Sequence, residues 1–116
     1  MDTVKLSIPA LPDYVVTVRL VASSIAGRLG YDIEQIDDIK MAVAEACLLL
    51  IPVSKNCLEL NFSLNDGLEI VIAAQFGQEA EETPERTISQ SILEALVDTV
   101  ELINTAEQRM YKLIKK

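Results

Sequence analysis

The chain has 116 residues, half of them hydrophobic, which is enough for one domain with one core and too few for two. Eighteen acidic against ten basic residues give a formal charge of −8, which opposes direct binding of a nucleic-acid backbone and leaves a basic protein partner open. The absence of histidine excludes Ser-His-Asp and Cys-His catalysis and imidazole metal ligation, so any chemistry must rest on carboxylates.

Val4, Leu6 and Ile8 alternate with Lys5 and Ser7 as in a half-buried strand, which Pro9 and Pro12 close because neither can donate a ladder hydrogen bond. Asp13 offers an N-cap oxygen to a first helix whose stripe is Tyr14, Val18, Val21, Ala22, Ile25 and Leu29, ended by Gly30. Its other side carries Val15, Val16 and Leu20, which suits cover by a second subunit. Asp32 and Gln35 have the spacing of a capping box, and Ile36, Ile39, Val43, Ala46, Cys47 and Leu50 predict the buried stripe of a second helix that Pro52 stops.

Leu58, Leu60, Phe62 and Leu64 alternate with polar residues, Asn65-Asp66-Gly67 turns the chain, and Leu68, Ile70, Ile72 and Ala74 return it, which predicts a hairpin with one apolar face. The polar run from Gly77 to Arg86 holds Glu79, Glu81, Glu82 and Glu85 with Pro84 and is expected to form a loop. Ile88, Ile92, Leu96 and Val100 are spaced for a third helix, though Val100, Leu102 and then Met110 to Ile114 look more like a closing strand pair around Asn104. This order predicts an α+β two-layer sandwich, with helices on one face of a mixed, largely antiparallel sheet.

The longest apolar run, Ala46 to Val53, contains a proline and is far too short for a bilayer, and MDTVKL lacks the flank and apolar stretch of a signal peptide. A cytoplasmic protein away from the membrane is therefore expected. Cys47 and Cys57 sit in apolar surroundings without a metal-type spacing, so they are expected to pack, with no disulfide and no metal site.

The order of elements, together with IPALPDYVVTVRLVASSIAGRLGYDIEQIDDIKMAVAEAC, resembles the bacterial anti-sigma-factor serine kinases of the GHKL (histidine-kinase-like) ATPase superfamily. The likeness continues through Leu68 to Ala73 and, more weakly, Ile92 to Val100, so it covers most of residues 1–116 and implies a single Bergerat-type domain. Members of that family bind a sigma factor, release it to an anti-anti-sigma protein, and phosphorylate that antagonist on serine with ATP and magnesium. They also pair as homodimers.

The resemblance implies that Glu45 and Ala46 match the start of a Glu-Ala-x-Thr-Asn-Ala segment in which Glu polarises the attacking hydroxyl and Asn holds magnesium. Here Leu48 stands for the Thr and Leu49 for the Asn, and a leucine offers magnesium none of the hard oxygen donors it requires. Ala74 and Phe76 fall where an Asp-x-Gly pair reads adenine. Arg86-Thr-Ile-Ser-Gln falls where a glycine-rich lid would cradle phosphates on bare backbone amides.

Glu45 therefore has two readings, a surviving catalytic base and a solvated helix side chain. Leu48 and Leu49 are expected to fill the former nucleotide cleft. Arg19 matches an arginine on a helix that contributes to partner and dimer contacts, and otherwise would be a solvated charge. Arg28, Asp37, Asp38 and Lys40 are ordinary surface charges, and the glutamate run is a solvated loop or an electrostatic docking segment.

The function expected is a non-catalytic, protein-binding regulator of the anti-sigma kind, a pseudokinase without cofactor. Its expected partners are a sigma factor or an anti-anti-sigma protein and a second copy of itself, with neither nucleic acid nor membrane. The alternative is an ATP- and magnesium-dependent serine-protein kinase with a non-standard nucleotide site and Glu45 as base.

Overall fold

The computed structural model describes residues 2–64, 67–76 and 84–116. Its elements follow in the order β1 (Thr3–Pro9), α1 (Val15–Arg28), α2 (Ile33–Leu50), β2 (Ser54–Leu64), β3 (Leu68–Phe76), α3 (Pro84–Leu96), β4 (Thr99–Asn104) and β5 (Gln108–Lys115). The strands make one sheet in the order β1-β2-β3-β5-β4, antiparallel at every pairing, and one core joins it to the helices. This is the α+β sandwich that the alternation of the strands and the spacing of the helices predict.

Local chemistry explains most of the boundaries. The Gln35 N–H donates to Asp32 Oδ1 at 2.8 Å and the Asp32 N–H donates to Gln35 Oε1 at 3.0 Å, so the predicted capping box holds the start of α2. Gly30, at φ +86°, ends α1 in the left-handed conformation that a β-carbon would disfavour. Pro52 sits in a 3-10 turn, Ile51–Val53, that stops α2. Asp13 does not cap α1. It lies in a 3-10 turn, Pro12–Tyr14, where the Tyr14 N–H is taken by the Leu11 carbonyl at 3.1 Å and needs no side-chain acceptor.

Residues 77–83 of the expected acidic loop, and Asn65 and Asp66 of the expected turn, lie outside the described residues. Pro84 to Arg86 belong to the backbone of α3 and not to a loop, which suits a proline in the first turn of a helix, where its missing N–H costs nothing.

The three helices lie side by side with α2 in the middle, against α1 on one side and α3 on the other. That arrangement turns α1 away from the predicted stripe. Its fully buried residues are Val15, Val18, Ala22 and Ala26, mostly small side chains that let it approach α2, while Tyr14 and Leu29 are exposed. Val21, Ile25 and Leu29 instead line a cavity of about 670 Å³ between α1 and the free end of β1 and β2. Val4 and Leu64, expected inside, are exposed at the rim of the same cavity because no helix covers that corner of the sheet.

One knot of polar contacts, at the same end of the strands as this cavity, ties β3 and β5 to the helices. The Tyr31 hydroxyl, between α1 and α2, donates to the Lys115 carbonyl and accepts from the Leu68 N–H at 3.0 Å. Lys115 Nζ donates to the Leu96 carbonyl at the end of α3 at 2.9 Å and lies 3.4 Å from Asp38 Oδ2 on α2. Gly67, at φ +112°, passes so close that a β-carbon would stand 2.6 Å from the Lys115 oxygen. Tyr31→Phe leaves the Leu68 N–H without its acceptor and is expected to lower unfolding stability in urea by about 1–3 kcal/mol. Gly67→Ala is expected to lower it as well, through a different cause, backbone strain plus the clash.

Candidate functional site

The middle helix, α2, carries the residues that the family resemblance marks for chemistry. A helix packed on two neighbours and a sheet is apolar over most of its circumference, and α2 buries Ile39, Ala42, Val43, Ala46, Cys47, Leu49 and Leu50. Glu45 lies at the border of this face, half-buried, and makes no hydrogen bond or ion pair with another described residue. No group that could orient it for proton transfer is in contact with it among the described residues, as a catalytic base needs.

Leu48 and Leu49 part company. Leu49 is 5% exposed and belongs to the core, whereas Leu48 is 45% exposed, against the expectation that it fills a cleft. The correction follows from helix geometry, since one residue turns the side chain by about 100°. A magnesium ion does not suit this donor set: position 49 presents hydrocarbon, and no group of three Cys, Asp or Glu residues among the described residues is placed to hold a metal.

Cys47, beside Glu45 on the same turn, is inert for a related reason. Burial pushes its thiol from an ordinary value of 9.0 up to about 12, so it stays protonated and is no nucleophile.

Ala74 and Phe76 stand at the end of β3, and the structure brings a third residue to them that the sequence did not single out. Arg109 pairs across the sheet with Ala74 and shares strand parity with the buried Tyr111 and Leu113, so it emerges on the helix-covered face. Its guanidinium lies over the Phe76 ring, 5.8 Å from the centroid, and its Nε donates to Asn104 Oδ1 at 2.9 Å. Nη1 is shielded from solvent and has no hydrogen-bond partner among the described residues. The signal available in the sequence was parity alone: Arg109, Tyr111 and Leu113 alternate, and the basic residue heads an inward row. The space beside Ala74 is thus occupied by a cation on an aromatic ring.

Arg19 is not near this cluster. It is exposed on α1, on the opposite side of α2 from α3, and makes no ion pair with a described residue. Val16 and Leu20 flank it, 59% and 65% exposed. Val15, by contrast, is buried, so the second apolar face of α1 is narrower than the sequence suggests. Residues 86–90, aligned with the glycine-rich lid of the resemblance, are helical near the start of α3, where the amides from Ile88 onward can bond within the helix.

A family model described as the histidine kinase-like ATPase domain matches residues 8–115. The chain is 32% identical over 125 aligned positions to serine-protein kinase RsbW of Bacillus velezensis, covering 88% of this chain and 78% of that one. It is 31% identical over 126 positions to serine-protein kinase RsbW of Bacillus subtilis, covering 89% and 79%. Both alignments are longer than this chain's 116 residues, so those relatives carry segments within the aligned region that this chain lacks. A crystal structure of the RsbU and RsbW domains of a Mycobacterium tuberculosis protein matches with a TM-score of 0.79 over 100% of this chain and 32% of that one. At 16% identity, that likeness is one of fold.

Two outcomes follow for this helix. Leu49→Asn puts an amide into hydrocarbon and is expected to cost about 1–3 kcal/mol in chemical denaturation. Cys47 sets a pH dependence: the folded protein holds its thiol proton up to about 12 while the unfolded chain releases it near 9.0. Its contribution to stability is complete below pH 9 and is lost between pH 9 and 12, by up to about 1.4 kcal/mol per pH unit. Cys47→Ala should remove that part of the alkaline slope.

Proposed function

The chain belongs to the histidine kinase-like ATPase domain family, and from that membership we propose that it is a non-catalytic regulator of the anti-sigma-factor kind, acting by binding protein and no longer taking up ATP. The observation that carries this reading is the state of the adenine position. Ala74 stands where the resemblance expects the base-reading aspartate, and the guanidinium of Arg109, stacked on Phe76, occupies the space beside it. A purine would meet a cation and an aromatic ring in place of a carboxylate acceptor and an open glycine.

The other nucleotide contacts support the same reading by residue type. Leu49 offers no oxygen to magnesium, and residues 86–90 form helix in place of a glycine-rich loop. The relatives named as kinases are longer within the aligned region than this chain, which suits a shortened or missing lid.

Partner binding is best assigned to α1. Arg19 sits between the exposed Val16 and Leu20, an unpaired guanidinium on an apolar field, which is the composition of a protein-binding hot spot. The chemistry fits a sigma factor or an anti-anti-sigma protein, and the cavity beside α1, with Val4, Leu29 and Leu64 exposed at its rim, fits a second copy of the chain. No helix among the described residues is long and apolar enough to cross a membrane.

A second reading, an ATP-dependent serine-protein kinase, is favoured by the names of the relatives and by the retained Glu45. Calorimetry separates the two: ATP and ADP with millimolar magnesium are expected to give no binding heat, and micromolar affinity in the unaltered protein would sink the regulator reading. Light scattering is expected to give twice the 12.8 kDa chain mass. Leu20→Asp should shift it to monomer, and Arg19→Ala should weaken co-purification with the sigma factor or anti-anti-sigma protein of the same organism. A monomer at all concentrations in the unaltered protein would remove the homodimer.

A further inference from the structure

The cavity under α1 has the build of a small-molecule site. Its volume of about 670 Å³ falls within the span of about 300–1,000 Å³ usual for pockets that hold organic ligands. Phe62 and Leu68, both buried, line it from the sheet, Val21 and Ile25 wall it from the helix, and the exposed Val4 and Leu64 mark its rim. Buried residues at the floor and exposed ones at the rim make it a trough open to solvent, so a ligand has both room and a way in.

Its form follows from the helix that roofs it. The lining runs along α1 from Leu20 to Arg28, which at 1.5 Å per residue is about 12 Å. A trough of that length, walled chiefly by Val, Leu and Ile, suits an extended hydrocarbon chain, whose transfer from water onto these side chains drives binding.

The polar side chains of the lining are few. They belong to Asp2, Ser24, Arg28 and Ser63. Arg28, the basic one, lies in the last turn of α1 and makes no ion pair with a described residue, and Ser24 stands four residues before it on the same helical row. A guanidinium fixed to a helix presents a planar fork that matches a carboxylate with two parallel hydrogen bonds. Asp2, just ahead of β1, opposes an anion there and sets a limit on its affinity.

We propose that this trough is a receptor for a free aliphatic monocarboxylate of medium chain length, which lays its hydrocarbon chain along α1 over Phe62 and Leu68 and its carboxylate on Arg28. The inference rests on the cavity and its cation and not on the loss of ATP binding. It gives the groove an occupant other than a second copy of the chain, so acid and pairing compete for the same apolar surface.

The test is an NMR titration of the unaltered protein with octanoate below its micellar range, following the methyl resonances of Val21, Ile25 and Leu68, with 1-octanol and acetate as controls. Octanoate is expected to saturate one site with a Kd of about 0.1–1 mM, 1-octanol to bind more weakly, and acetate not to bind. Arg28→Gln should weaken octanoate about tenfold and leave 1-octanol unchanged. Asp2→Asn should tighten octanoate. Ser24→Trp, a change at an exposed position that fills the trough without entering the core, should abolish both responses. Shifts that do not saturate, that are as strong with 1-octanol, or that survive Ser24→Trp would overturn the proposal. A dimer in light scattering that octanoate neither enters nor dissociates would assign the trough to the second copy and overturn it as well. Octanoate that saturates its site while the dimer persists would leave the receptor standing and remove the reading in which pairing uses this cavity.

Discussion

Everything in this molecule leans on the burial of α2. It is the one helix packed against both other helices and against β2, β3 and β5, and only its outer side, with Ile33, Met41 and Leu48, is left exposed. Each fully buried Ile, Val or Leu on it contributes about 1.5–3 kcal/mol, and a polar side chain there would forfeit that and add a desolvation cost. The helix that carries Glu45 is therefore first a structural keel, and its chemistry is confined to the narrow borders where the cover stops. Leu49 lies within the cover and Leu48 outside it, one residue apart.

The keel is fastened at one end by a few polar contacts that converge on Lys115. Its carbonyl receives the Tyr31 hydroxyl, its ammonium group satisfies a carbonyl at the C-terminal end of α3, and Asp38 on α2 faces it. A cation at that position also opposes the partial negative charge of the helix terminus. The last strand thereby holds the loop between α1 and α2 and the end of α3. The cavity under the C-terminal part of α1 lies at the same end of the strands, toward the β1 edge, and shares Leu68 with this fastening; the exposed Val4, Leu29 and Leu64 line it.

Two regions carry the candidate functional surface. At the end of β3, Ala74, Phe76 and Arg109 bring a cation over an aromatic ring. On α1, Arg19 with Val16 and Leu20 presents charge amid apolar surface, which is suited to a protein. This scaffold of the histidine kinase-like ATPase type thus carries the two surfaces on different elements, β3 and β5 for one and α1 for the other.

Much of this was legible in the linear chain, because strands, caps and breakers are local. Alternation in Val4–Ile8, Leu58–Leu64 and Leu68–Ala74 declares strands, Asp32 and Gln35 declare a helix start, and Gly30 and Pro52 declare helix ends, each through forces acting within a few residues. The family likeness was likewise written in one continuous stretch. What the chain alone could not decide is which side of an element meets another element. The stripe of α1 turned toward α2 and left Val21, Ile25 and Leu29 on a cavity, Leu48 and Leu49 separated into outside and inside, and Arg109 came to lie on Phe76 from a strand more than thirty residues away. Those outcomes depend on how helices share a sheet, a competition among distant surfaces for the same burial, and that competition is resolved only when the whole chain has packed.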